Sequence, residues 1–133
     1  MLRVVLDTNI FVSSVFWKGK PYNIVQLAFD DKIKVCVSLE ILQELERVLR
    51  RNFQEENDFI KSQINLILEY AEVINVVSKI NAVKEDSDDD KIIECAVDSK
   101  ADYIVTGDPH LLNFKEFKGI KIVNAAYFVK LEL

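Results

Sequence analysis

Leu2-Arg3-Val4-Val5-Leu6-Asp7-Thr8-Asn9 is the stretch on which the fold turns. Four of its first five residues are apolar and two are β-branched, the composition of a short strand buried on both faces. Such a strand belongs in a covered parallel sheet. It stops at an acid, a hydroxyl and an amide, side chains suited to metal, water or phosphate. In open α/β sheets, ligands bind outside the carboxyl ends of the strands, and Asp7 falls there. A purely structural reading competes, because Asp, Thr and Asn all cap helices well.

Working outward, apolar strand-like runs alternate with helical patterns. Ile10 to Trp17 forms a short helix interrupted by Ser13 and Ser14, and Pro21 opens a second helix that buries Ile24, Val25, Leu27 and Ala28. Ile33 to Val37 is the second strand, and Ser38 caps the helix that follows. That helix carries Ile41, Leu42, Leu45, Val48 and Leu49 on one stripe. At about 100° per residue, Glu44 lies at the border of the stripe, about 100° from its centre, and Glu40 lies further round, at about 140°. Arg47, Arg50 and Arg51 follow, as a solvated face or as a basic contact surface. A helix with Phe59, Ile60, Ile64, Ile67, Leu68 and Ala71 facing inward leads to a third strand at Val73–Val77.

Next comes Glu85-Asp86-Ser87-Asp88-Asp89-Asp90, five acids in six residues. As a solvated loop such a run is unremarkable, but a helix with Ile92, Ile93, Ala96 and Val97 on its apolar face starts inside it. Helical phase puts Asp89 at the buried-side edge of the first turn and turns Asp90 away. Ala101–Thr106 is the fourth strand, followed at once by Gly107-Asp108 and by Pro109 at a helix start; His110 is read as a surface residue. Ile120–Val123 is the fifth strand, and Asn124 caps a last helix.

The totals fit one domain spanning 1–133: half of the residues are hydrophobic, enough for a real core. No run approaches the ~18 apolar residues of a membrane span. The first residues carry no basic stretch followed by a cleavage site, so a cytoplasmic protein is expected. Cys36 and Cys95 lie far apart, with no second Cys or His near them in sequence, and read as free buried thiols. A net charge of −5 argues against nucleic-acid binding by a broadly basic surface.

Strands alternating with helices imply a parallel sheet with right-handed crossovers, so all strand C-termini share one rim. Asp7, Glu44, Asp89 and Asp108 then arrive at that rim from four separate parts of the chain. Carboxylates a few ångströms apart repel by about 4 kcal/mol per pair at an effective dielectric near 20. Either some are protonated or a cation offsets the repulsion. Hard oxygen ligands with no His or Cys select Mg2+ or Mn2+.

The segments VVLDTNIFVSSVFWKGKP, VCVSLEILQELERVL and EDSDDDKIIECAVDSKADYIVTGDPHLL resemble, in order and spacing, the successive blocks of the PIN domain. The resemblance runs from Leu2 to about Phe128 and is nearest to the toxins of toxin–antitoxin pairs, the VapC-like ribonucleases. It implies a three-layer α/β fold with a central parallel sheet of about five strands in the order 3-2-1-4-5. It implies Asp7, Glu44, Asp89 and Asp108 as the acidic quartet, with Asp7, Asp89 and Asp108 as metal ligands. Thr8, Asn9, Asp86, Asp88 and Thr106 are the supporting polar residues. Ser87 departs from the proline of many relatives, which loosens this loop and leaves Asp88 as the alternative ligand; helical phase favours Asp89.

The activity expected is Mg2+- or Mn2+-dependent hydrolysis of RNA phosphodiesters, with a cognate antitoxin as partner and a homodimer or higher homo-oligomer as the assembly. Two other classes compete: a catalytically silent PIN-like interaction domain, and an aspartyl-phosphate module with Asp7 as nucleophile. The phosphatase form of the latter normally has a second Asp two residues on, where this chain has Asn9. The receiver form needs a suitably placed lysine after the last strands.

Overall fold

The computed structural model describes residues 1–83 and 87–131, and of residues 87 and 88 the backbone alone. The elements run β1 (Leu2–Leu6), α1 (Thr8–Phe16), α2 (Lys20–Phe29), β2 (Ile33–Ser38), α3 (Leu39–Asn52), α4 (Asn57–Tyr70), β3 (Ala71–Ile74), α5 (Ser87–Asp98), β4 (Tyr103–Val105), α6 (Pro109–Leu112), β5 (Glu116–Phe117), β6 (Ile120–Val123) and α7 (Ala125–Val129). No helix among the described residues is long and apolar enough to cross a membrane.

The sheet order is β3-β2-β1-β4-β6-β5. β1 pairs in parallel with β2 and β4, placing Val5 between Cys36 and Ile104. Val4, Val5, Leu6, Val35, Cys36, Val37, Ile104 and Val105 are all sealed from solvent. Each buried Val, Leu or Ile side chain contributes roughly 1.5–3 kcal/mol. The chain steps outward through β1, β2 and β3, then returns to β4 on the other side of β1. With right-handed crossovers, α1–α4 lie on one face of the sheet and α5 on the other. The order therefore reverses at β1 and β4, and the crevice at their carboxyl ends is where such sheets bind ligands.

The parallel strands reproduce the 3-2-1-4-5 order, and a sixth strand is added at the edge. Glu116–Phe117 pairs antiparallel with β6 through Lys118 and Gly119, both at positive φ (49° and 84°). That is the backbone demanded by a two-residue hairpin turn, so Gly119 makes a turn rather than simply preceding a strand. The third strand lies earlier than expected, at Ala71–Ile74. β2 ends at Ser38, which pairs with Ile74, so nothing is left for Asn75–Val77 to pair with.

A single stripe of α5 holds the segment beyond β3. Asp98 accepts hydrogen bonds from the amides of Val77 and Ser78, Glu94 accepts one from Ile80, and Asp90 accepts two from Ala82 and Val83. These acids recur at four-residue spacing along one side of the helix. The chain is thus tied down just before the acidic run. Cys36 and Cys95 are free and buried, as expected, and burial pushes the Cys95 thiol up to about 12.

Candidate active site

Asp7 ends β1 at the reversal point and occupies the N-cap position of α1, yet its carboxylate makes no capping bond. Asp7 is buried instead, 6% exposed, and its Oδ2 accepts a 2.6 Å hydrogen bond from the hydroxyl of Thr106. Thr106, fully enclosed just beyond β4, accepts in turn from the backbone amide of Asp108 at 3.0 Å. One hydroxyl therefore bridges two strand ends and fixes the relative placement of two acids. Burial raises the Asp7 pKa; the Thr106 hydrogen bond and the Thr8 amide oppose the shift, and the charge of Asp108 adds to it.

Asp108 caps α6 by accepting from the His110 amide at 2.8 Å. Asp89, in the first turn of α5, is buried. One carboxylate oxygen from each of Asp89 and Asp108 and one ring nitrogen of His110 lie within 4.8 Å of one another. Glu44 projects from α3, and its Oε2 accepts from Arg47 at 2.7 Å. The four acids, with Thr8, Asn9, Ile41, Val48, Lys91 and Ile92, line a single cleft of about 130 Å³.

The expected quartet is thus brought together, with Thr8 and Asn9 on its wall and Thr106 directly behind Asp7. The side chain of Asp88, and Asp86 altogether, lie outside the described residues. Glu44 lines the cleft and Glu40 does not. Glu40 is nevertheless less solvated than its angle predicts: it is half-buried, and its Oε2 is enclosed without a hydrogen-bond partner. α5 packs against α3, which a single-helix projection cannot show.

Three residues escaped the sequence reading. Asp90 turns away from the cleft, but it is 6% exposed and anchors the backbone at 82–83 rather than facing solvent. Nothing in the local pattern signals this, because the segment it holds folds back onto α5. Lys91 lines the cleft beside the acids. His110 is exposed as expected, but its Nδ1 stands 3.8 Å from Asp108 Oδ1, beside the acids.

The donor set fits a hard divalent cation. Ligands on opposite sides of Mg2+ at about 2.1 Å are about 4.2 Å apart, and the ligand atoms of Asp89, Asp108 and His110 all lie within 4.8 Å of one another. Asp7, Asp89 and Asp108 would hold such an ion, and the buried carboxylates would then be neutralised rather than protonated. Glu44 lines the same cleft and is paired to Arg47.

A family model described as PIN domain matches residues 3–110. No curated protein matches the sequence. Among solved structures, the chain is similar to VapBC2 from Rickettsia felis bound to a DNA fragment from their promoter, with TM-score 0.66, 19% identity, and 92% of this chain and 98% of that chain covered. It is also similar to VapBC-1 from nontypeable Haemophilus influenzae, with TM-score 0.62, 15% identity, and 94% and 99% covered. Both are likenesses of fold.

Proposed function

The chain belongs to the PIN-domain family, and from that premise we propose that it is a metal-dependent endoribonuclease acting as the toxin of a toxin–antitoxin pair. One observation carries the catalytic part: four carboxylates from four separate elements converge on one cleft at the reversal point of the sheet. Surface acids have no reason to gather at such a cost in repulsion. The resemblance of the sequence blocks and the fold shared with two VapBC structures support the biological part, including a cognate antitoxin as partner. A homodimer or higher homo-oligomer is part of the same reading.

Asp7, Asp89 and Asp108 would hold the ion, and Thr106 keeps Asp7 aimed by donating to its Oδ2. When bound, Mg2+ or Mn2+ supplies a lowered water pKa and offsets charge on the phosphate oxygens. Glu44 orients the attacking water toward phosphorus. Asn9, exposed on the cleft wall, offers an amide to the substrate. The buried floor of Thr8, Ile41 and Ile92 limits bulk water around the acids.

The test is cleavage of mixed RNA by the purified protein in magnesium and in EDTA. Asp7→Asn and Asp89→Asn should each abolish magnesium-dependent cleavage while leaving the circular dichroism unchanged, since each replaces a charged ligand with a neutral near-isostere. Cleavage at the parent rate in both variants would remove the proposed site.

A further inference from the structure

The Asp108-Pro109-His110 turn holds an imidazole beside an acid of the cleft. Asp108 has extended backbone, Pro109 opens α6, and the Asp108 carboxylate folds forward to accept from the His110 amide at 2.8 Å. Leu111, fully enclosed, pins the turn to the core. On this fixed turn the ring Nδ1 of His110 stands 3.8 Å from Asp108 Oδ1. That separation is too long for a hydrogen bond. It falls between the about 3.0 Å and about 4.2 Å that part adjacent and opposite ligands of an octahedral ion with bonds of about 2.1 Å.

The third ligand atom comes from another element. Asp89, buried in the first turn of α5, has a carboxylate oxygen within 4.8 Å of both an oxygen of Asp108 and a ring nitrogen of His110. Among the described residues, no other three His, Cys, Asp or Glu side chains bring their ligand atoms so close together. The tightest donor set of the molecule therefore includes a nitrogen, and is not made of carboxylates alone. His110 is half exposed and does not belong to the cleft wall, so its ring meets the two acids from the outer side. Glu44 already has a cationic partner, Arg47 at 2.7 Å. A neutral imidazole adds a donor where a further carboxylate would add repulsion.

We propose that His110 is a ring-nitrogen ligand of the ion held by Asp89 and Asp108, and that it tilts the site away from Mg2+ toward divalent first-row transition ions. The proposal rests on the metal reading of the cleft and adds to it a ligand of a different kind and a choice of ion. Mg2+ takes oxygen ligands and keeps several waters, so an imidazole offers it little that water does not. First-row transition ions accept imidazole readily, and their affinity for a given site rises from Mn2+ toward Cu2+. The ring nitrogen thus separates two classes of ion that three carboxylates would treat more alike.

His110 is the only histidine in the chain, so an imidazole nitrogen on a bound ion can come from nowhere else. Mn2+ is the probe: it is paramagnetic, and of the first-row ions it lies nearest Mg2+ in its liking for oxygen, which makes it the strictest choice. Untagged protein loaded with Mn2+ should show the nitrogen modulation of a directly bound imidazole in pulsed electron paramagnetic resonance, and His110→Gln should lose it. Loss of an outer-shell partner already costs about 10- to 100-fold in metal affinity, so His110→Gln should weaken Mn2+ binding at least about tenfold, read from the free-ion signal in a titration. Mg2+ binding, read by competition against Mn2+, should change by less than about threefold, since water takes the place of the ring. Asp89→Asn should weaken both ions. Mn2+ bound without nitrogen modulation, or bound equally well by parent and His110→Gln, overturns the ligand and leaves the acidic metal site in place. Equal weakening of Mg2+ and Mn2+ in His110→Gln overturns the choice of ion. Modulation and affinity that survive Asp89→Asn put the ring on an ion outside the cleft and also overturn the proposal. A parent that binds neither ion removes the metal reading of the cleft along with it.

Discussion

Replacing Thr106 with valine removes one oxygen and keeps the shape. That oxygen donates to Asp7 Oδ2 at 2.6 Å and accepts from the Asp108 amide at 3.0 Å, inside a fully enclosed site. A hydrogen bond to a charged group contributes about 1.5–3 kcal/mol, and leaving a buried carboxylate short of a partner costs as much. For a domain of this size about 2 kcal/mol corresponds to a fall of roughly 4–9 °C in melting temperature. The loss should depend on pH, and its sign follows from Asp7. Burial already holds its pKa above the ordinary aspartate value near 3.9, while Thr106 pulls it back. The folded protein thus binds this proton more tightly than the unfolded chain does, and stability falls as pH rises through the interval between the two values. Thr106→Val widens the interval upward. In EDTA the variant's deficit should be small near pH 4 and grow toward neutrality, and Thr106→Ser should recover most of it. Melts of parent, valine and serine variants across pH 4–8 make the measurement. A deficit that is constant with pH would show that Thr106 acts by packing alone, and would refute the electrostatic account of Asp7.

Two further outcomes follow from neighbouring contacts. Glu44→Gln should lose most RNA cleavage because Glu44 lines the cleft, whereas Glu40→Gln should cleave at close to the parent rate; equal rates would demote Glu44 to a flank residue. Asp90→Ala strands the amides of Ala82 and Val83 and should cost about 1.5–3 kcal/mol, read as a lower urea midpoint at an unchanged slope; a midpoint equal to the parent's would show that water replaces the carboxylate there.

Much of this architecture is legible in the amino-acid order because its signals are local. β1, β2 and β4 are apolar runs that stop at polar residues, and Ser38 and Asn124 act as the caps their positions suggest. The convergence of the quartet is also readable, because a parallel sheet delivers every strand end to one rim whatever the loops between do. What fails is what is too short to carry a pattern or depends on a partner distant in sequence. β5 is two residues long, and no periodicity marks so short a strand; only the paired positive φ values at Lys118 and Gly119 create it. The end of β3 is fixed by the end of β2. Asp90 reads as one more acid in a charged run because the backbone it holds comes from the other side of a loop. Glu40 reads as solvated because α5 is invisible from α3 alone.

The most direct test of the gathered acids is a set of thermal melts in EDTA, sodium chloride and magnesium chloride, for the parent and Asp89→Asn. A cation that binds only the folded state stabilises it by RT ln(1 + [L]/Kd), about 1.4 kcal/mol at ten times Kd. For this domain that is a rise of roughly 3–6 °C. Magnesium should produce the rise and sodium chloride at equal ionic strength should not, since screening acts on all surface charges alike. Asp89→Asn should melt above the parent in EDTA, one repelling charge having gone, and should lose most of the magnesium response. A parent that responds identically to both salts, with a variant no more stable in EDTA, would mean that these carboxylates do not share a cation.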